Sequence, residues 1–297
     1  MILVTGASGA VGSALVDRLV ADGSPPVVAG RGPDALGARW PSLEARGFDA
    51  LDAATILDAV RGVDVVYYLI HSMESGATPF DERERSAATN VARAAADAGV
   101  GRIVYLGGLG EDADDLSQHL ASRHATGRTL AEHGPPVLEL RAAMVVGADS
   151  ASYRMLADLV DRLPAMVLPK WVDTPTQPIA EQDVISYLAA ARDVPLEDDH
   201  TIVEIGGADV VTYREMLRTY VRMRGKRRML LGVPLLTPRL SSLWCGLITS
   251  VDNQVARPLI DSMVFPTVVR DDRAARFFPA ISPRGFEAAL RAALNAG

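Results

Sequence analysis

Seven residues near the start of the chain, GASGAVG, narrow the possible folds more than any other stretch. They follow an apolar run, ILVTG, that reads as a strand. They lead into SALVDRLVADG, where Leu15, Leu19 and Val20 recur at helical spacing before Gly23 stops the helix. A strand that passes straight into a helix cannot form a tight hairpin with the next strand, so the helix becomes the crossover to a parallel neighbour. The same alternation then repeats. PVVAGR, ARGFDALD, VDVVYYLIHS, RIVYLGGLG, PVLELRAAMVVG and TIVEIGG read as further strands, separated by helical stretches such as TILDAVRG, ERERSAATNVARAAADAG and LSQHLASR. The near-continuous apolar character of VDVVYYLIHS suits a sheet covered on both faces.

The expected architecture is therefore α/β, a doubly wound parallel sheet of the Rossmann type. Residues 1–150 form its main domain, and residues 178–206 return to the sheet. After residue 150 the pattern loosens into proline-rich connections such as LPKWVDTPTQPIA and a helix at TYREMLRTYVRMRG. Residues 151–177 and 207–297 are read as a smaller C-terminal part that closes over a ligand held by the first. At 297 residues and 48% hydrophobic content the chain can bury a substantial core.

Composition excludes some functions. A net charge of −7 and a pI near 5.3 disfavour nucleic-acid binding, which depends on clustered Lys and Arg displacing counterions. The one cysteine, Cys245, rules out an internal disulfide framework and fits a reducing cytoplasm. MILVTGASG has neither the basic region nor the apolar core of a signal peptide, so a cytoplasmic location is expected. The most apolar later region starts at Met229 and is broken by Pro234, Pro238 and Arg239, so it cannot supply a spanning helix. Residues 229–250 remain a candidate for peripheral membrane or protein contact.

The spacing of Gly6, Gly9 and Gly12 carries the chemistry. Gly6 permits a tight turn, Gly9 lets bare backbone approach a pyrophosphate, and Gly12 lets the helix pack closely. The helix start offers unpaired N–H groups to the anion. Ala7, Ser8, Ala10 and Val11 complete the turn. At the end of the second strand, where an NAD site often places a carboxylate for the ribose 2′-hydroxyl, the sequence has Gly30-Arg31-Gly32. The Arg31 guanidinium suits a 2′-phosphate, which favours NADP(H) over NAD(H); the alternative is a solvated loop arginine. Asp49 and Ala50 end the third strand where the adenine ring would lie. Leu69, Ile70 and His71 end the fourth strand, also at the cofactor edge.

On TGASGAVG, YYLIHSM, IVYLGGLG, LRAAMVVG and QPIAEQDV, the sequence resembles the short-chain dehydrogenase/reductase superfamily, in its atypical branch of NAD(P)-binding, NmrA-like and complex-I-subunit-like proteins. The resemblance runs through the first two thirds of the chain. It implies a catalytic serine at the end of the fifth strand and a Tyr-x-x-x-Lys pair on the next helix. Here Gly107 and Gly108 occupy the serine region, and His119 and Arg123 stand in place of the tyrosine and lysine. The two lysines, Lys170 and Lys226, follow Met166 and Arg222 at that spacing, so the tyrosine–lysine pair occurs nowhere.

Reduction of a carbonyl needs a proton for the developing alkoxide. His119, an imidazole that titrates near neutrality, can supply one. Arg123, one helical turn on, can hold a ribose or an oxyanion. The alternative is a polar pair on a wet helix rim after the acidic EDADD. His71 is a second candidate acid, and Ser72, Gly108 and Tyr153 are candidate substrate contacts. Tyr67, Tyr68 and Tyr105 read as core, and Arg141 as a tie between loops. No metal-ligand spacing is visible around His119 and His124, nor any G-x-S-x-G nucleophile turn.

Two functions compete. One is an NADPH-dependent oxidoreductase of a small, mainly apolar carbonyl, enone or quinone. The other is a redox-silent NADP(H)-binding sensor or assembly protein, favoured by loss of Ser, Tyr and Lys. A sugar-nucleotide epimerase is a weaker third, because it too needs the missing tyrosine.

Overall fold

Seven parallel strands in the order β3-β2-β1-β4-β5-β6-β11 form the central sheet of the computed structural model, which describes residues 1–70, 80–111, 116–233, 250–251 and 253–296. In chain order the first half runs β1 (Ile2–Thr5), α1 (Ala10–Ala21), β2 (Val27–Gly30), α2 (Pro33–Arg39), β3 (Ala45–Gly47), α3 (Ala53–Val60), β4 (Val65–Tyr68), α4 (Phe80–Asp97), β5 (Arg102–Gly108), α5 (Gln118–His133) and β6 (Val137–Ala142). The strand order reverses between β1 and β4. A doubly wound sheet opens a crevice for ligands at that point, beyond the carboxyl ends of its strands.

Alternation within each strand builds two cores. Ile2 and Val4 face one side with Leu15, Val16 and Leu19 of α1, and Leu3 faces the other with Ile56 and Val60 of α3 and Val91 of α4. All four residues of β1 and of β4 are buried, as are all six of β6. That explains the mainly apolar sequence of β1 and β4, while β6 buries Glu139 and Arg141 as a pair. Burying each Leu or Val of α1 contributes at most about 1.5–3 kcal/mol, which fixes the helix across the first strands.

The stretch read as one sixth strand divides. β6 ends at Ala142, and β7 (Val145–Val146) leaves the sheet to pair in parallel with β10 (Ile179–Ala180). The third strand is likewise shorter than its sequence suggested, ending at Gly47. The rest comprises α6 (Ala151–Arg162), β8 (Ala165–Pro169), β9 (Pro175–Thr176), α7 (Glu181–Ala191), β11 (His200–Ile205), β12 (Val211–Thr212), α8 (Tyr213–Met223), β13 (Met229–Val233), α9 (Asn253–Ser262), α10 (Arg273–Phe277) and α11 (Phe286–Ala296). β11 pairs with β6 in register from His200–Val137 to Ile205–Ala142, and α7 packs on α1.

Helices α6, α8 and α11 surround a third core through Leu156, Val160, Met216, Tyr220 and Leu290. Thr212 and Glu215 form a capping box that starts α8, so its apolar face falls on that core. Helix α9 rests on both α5 and α6, with Ala256 and Ile260 against Met155 and a 2.8 Å hydrogen bond between the Ser117 and Ser262 hydroxyls. It thus roofs the carboxyl side of the sheet. Of residues 229–250, Met229–Val233 pair with β8, while 234–249, with Trp244 and Cys245, lie outside the described residues.

One polar group sits within the sheet. Arg141 is 2% exposed and donates to Glu139 at 2.9 Å, and His200 meets the other carboxylate oxygen at 2.7 Å. Arg141 lies buried within β6 and pairs with Glu139 of the same strand, and Glu139 in turn ties β6 to β11 through His200.

Candidate functional site

The glycine turn is enforced by backbone contacts. Gly6 has φ +68°, and a Cβ there would stand 2.6 Å from the Leu69 carbonyl oxygen. A Cβ on Gly12 would stand 2.2 Å from the Gly6 oxygen, so α1 can lie this close only with glycine. Gly9 caps α1 without a side-chain hydrogen bond, and the first turn carries no acidic residue. The amides of Ala10, Val11 and Gly12 have no carbonyl four residues back within the helix, and no carboxylate competes for them. An uncapped helix start with bare backbone fits a pyrophosphate.

A cleft of about 670 Å³ runs from this turn along the carboxyl edge of the sheet. Gly6, Ser8, Gly9, Ala10, Val11, Gly12, Arg31, Asp49, Ala50, Leu69, Ile70, Gly108, His119 and Arg123 all line it. Ala7 does not: it is fully buried beneath the turn and packs into the α1 core. His71 and Ser72 lie outside the described residues. Asp49 accepts from the Leu51 amide at 3.0 Å, and its own N–H donates to the Thr55 hydroxyl at 3.0 Å, so the turn after β3 is rigid. Arg31 is exposed on the cleft wall.

The end of β5 has no room for a serine at Gly107, where a Cβ would stand 2.6 Å from Glu139 Oε1. At Gly108 a Cβ would stand 2.9 Å from Leu120 of α5. The glycines let α5 close on the sheet, and this sets where His119 and Arg123 sit. Arg123 donates to the Leu106 carbonyl, and its guanidinium lies 5.0 Å from the centre of the Tyr105 ring. The Tyr105 hydroxyl donates back to the Arg123 carbonyl at 3.1 Å. Burial raises the hydroxyl pKa of Tyr105, against a smaller lowering by the Arg123 charge, and burial likewise raises that of Tyr68. Both stay neutral and structural.

Tyr153 turns inward, contrary to its expected role as a substrate contact. It is buried against Tyr220, with ring centres 6.1 Å apart, and the cleft is lined instead by Ser150, Ala151 and Ser152. The reason is helical register. Ser150 is the N-cap of α6, accepting from the Tyr153 amide at 3.2 Å, and this puts Tyr153 on the core face and Ser152 on the cleft face.

Four further lining residues carry chemistry that no local pattern singles out: Arg83 of α4, Asp149, Glu181 and Ser152. Arg83 lies in the alternating run ERER, which resembles a solvated face, and it has no ion pair or hydrogen bond among the described residues. Glu181 opens α7 against Gly147, where a Cβ would fall 2.5 Å from its carboxyl oxygen. Burial first, and then the Asp149 charge, raise the Glu181 pKa. Ser152 also lines a second cavity of about 460 Å³ whose walls are almost wholly apolar, among them Met144, Met155, Leu156, Met166, Trp171 and Met216. Ser152 lines both spaces, and its neighbours divide between them: Ala143 and Leu259 line the cleft, Met144 and Ile260 the cavity. Among the described residues, no cluster of His, Cys, Asp and Glu is placed to hold a metal ion.

Residues 6–135 match a family described as NAD(P)H-binding. Over 123 residues the chain is 37% identical to a (4-alkanoyl-5-oxo-2,5-dihydrofuran-3-yl)methyl phosphate reductase of Streptomyces griseus, a match spanning 41% of this chain and 40% of that relative. The triphenylmethane reductase of a Citrobacter species, solved with NADP(H), superposes with a TM-score of 0.74 at 18% identity, covering 98% of this chain and 99% of the other. The NADPH-dependent quinone oxidoreductase of Escherichia coli, solved with NADPH, superposes with a TM-score of 0.75 at 19% identity over 100% of this chain and 99% of the other. At those identities the two structures speak for the fold alone. The glycine turn and the sheet order give the chain a Rossmann fold, and the part of it that carries the turn, residues 6–135, is similar to the NAD(P)H-binding family.

Proposed function

We propose that this chain is an NADPH-dependent oxidoreductase of a small, mainly apolar carbonyl, enone or quinone compound. The observation that carries the proposal is the apolar cavity meeting the glycine-turn cleft at Ser152, which gives an apolar substrate a place beside the cofactor. The named relative from Streptomyces griseus is itself a reductase, acting on a phosphate ester that bears an alkanoyl chain and an oxo-dihydrofuran ring.

In this reading the amides of Ala10, Val11 and Gly12 hold the pyrophosphate, and Arg31 selects the 2′-phosphate and hence NADP(H) over NAD(H). NADPH, when bound, supplies the hydride. Arg123 presents a fixed positive charge to the developing oxyanion. Because the Leu106 carbonyl and the Tyr105 ring already hold it, little reorganisation is needed at the moment of reaction. His119, one turn earlier on the same helix face, delivers the proton that the absent tyrosine would have given. His71 is kept as the alternative acid, and Ser72 and Gly108 as substrate contacts. Residues 151–177 and 207–297 close the substrate side, and a cytoplasmic location goes with the reading. A peripheral contact through 229–250 is supported by the outward Met229 and Leu231 of β13, 60% and 51% exposed.

The redox-silent alternative is favoured by one observation, the lack of space for a serine at Gly107. Following NADPH absorbance over a panel of carbonyls, enones and quinones separates the two. The oxidoreductase reading expects turnover with at least one compound and its loss in His119→Ala. Measured NADPH binding with no turnover across the panel would favour the redox-silent protein.

A further inference from the structure

We infer that the natural substrate is an anionic amphiphile, whose apolar tail enters the cavity beyond Ser152 while its carboxylate or phosphate meets Arg83 and Arg123 on the α4–α5 wall. The inference rests on the reductase reading for its chemistry and on the two adjoining spaces, which share Ser152 as a lining residue, for its shape.

Beyond Arg31 and Asp49, which follow β2 and β3, the charges lining the cleft divide by element. Arg83 and Arg123 come from α4 and α5, which pack along each other, and His119 lies on the same wall. Asp149 and Glu181 stand at the opposite wall, around the start of α6 and α7. Arg83 is half-buried and has no ion pair or hydrogen bond among the described residues. Arg123 uses one guanidinium nitrogen on the Leu106 carbonyl, which leaves further donors for a ligand. A cationic side chain drawn part-way out of water gains most from an anion that completes its hydrogen bonds.

The other end of the space is different in kind. Ser152 lines the cleft together with Leu259 of α9, and it also lines the neighbouring chamber of methionines and leucines. The Tyr213 hydroxyl in that chamber is engaged with Thr176 and Thr267. A polar tail would lose its hydration there with little to replace it, whereas an alkyl or acyl tail gains by the area it removes from water. Unbranched methionines adapt to tails of several shapes. A wholly apolar substrate would leave Arg83 unused, and a small polar one would leave the chamber empty.

The test is calorimetric titration of the free and the NADP⁺-saturated protein with hexanoate, octanoate and decanoate, then with decyl phosphate and decanol. Affinity should rise about tenfold for each pair of added methylenes. Decanoate and decyl phosphate should each bind about tenfold or more tightly than decanol. Preference for one anion identifies the headgroup. Arg83→Gln should weaken decanoate binding about tenfold with NADP⁺ affinity held within about twofold. Leu159→Trp, at a partly exposed position on the chamber wall, should flatten the chain-length series. Decanol binding as tightly as the anions, or a flat series in the wild-type chain, overturns the inference. So does an Arg83→Gln variant that loses NADP⁺ as much as decanoate, because that arginine then serves the cofactor. Amphiphile binding to the free protein without any nucleotide binding would refute the cofactor reading and leave this one standing.

Discussion

Replacing Gly12 by alanine adds one methyl group, and the structure sets its consequence. The new Cβ would stand 2.2 Å from the Gly6 oxygen, 2.8 Å from the Gly6 carbon and 3.1 Å from the Ala7 Cα, all backbone atoms. To reach van der Waals contact, α1 must retreat from the turn by more than about 1 Å. Overpacking of this kind costs roughly 1–3 kcal/mol, and the better helix propensity of alanine offsets about 1 kcal/mol of it. Melting should therefore fall by only about 0–3 °C. Cofactor binding should suffer more, because the retreat separates the Gly6 turn from the first-turn amides, and losing one or two charge-assisted hydrogen bonds weakens NADPH binding about 100-fold. Gly23→Ala is the control: its φ is +73° with nothing within 4 Å of a Cβ, so it costs about 1–2 kcal/mol of backbone strain far from the cleft. Both variants are compared by thermal melting and by calorimetric NADPH titration. A Gly12→Ala chain that binds NADPH like the wild type, or no worse than Gly23→Ala, refutes the reasoning.

Arg31→Ala should weaken NADPH about 10- to 100-fold and NADH within about twofold, read by parallel titrations; equal losses would take Arg31 out of 2′-phosphate recognition. Arg141→Met leaves the fully buried Glu139 carboxylate with His200 but without its guanidinium and should cost about 3 kcal/mol in urea unfolding, whereas a loss below about 1 kcal/mol would mean that His200 alone satisfies it. Glu181 has a raised pKa, so the folded chain holds that proton more tightly than the unfolded chain, and stability falls as pH rises from the ordinary carboxylate range through the raised value. Glu181→Gln should then melt slightly higher than wild type at neutral pH and equally at acid pH. Solvent screening of a partly exposed carboxyl keeps the effect small. A variant that melts lower at neutral pH would show that the carboxylate has a stabilising partner.

The sheet was legible because its signal is local. Each strand is a short apolar run bounded by a turn, each crossover helix has its own apolar stripe, and Gly6, Gly9 and Gly12 announce their turn by standing between a strand and an amphipathic helix. The cleft residues on the glycine turn and at the ends of β2, β3 and β4 followed from topology, since every parallel strand delivers its carboxyl end to one edge. The break of the sixth strand at Ala142 was hidden, because Ala-Ala-Met-Val-Val continues the apolar run while the chain has already turned toward β10. Tyr153 was misread through a one-residue matter of register that the Ser150 cap could have settled. Arg83 and Glu181 gave no signal, since a charged residue on an amphipathic helix looks alike whether it faces water or a cleft. The apolar chamber needs α6, β8, α8 and α9 together, contacts between segments far apart in the chain that no local pattern records.

Isothermal titration of the purified chain with NADPH and NADH tests the central claim most directly. The turn from Gly6 to Gly12 and the guanidinium of Arg31 predict saturable NADPH binding at one site per chain, with NADH at least tenfold weaker. Absence of heat and of thermal protection with both nucleotides would contradict the account.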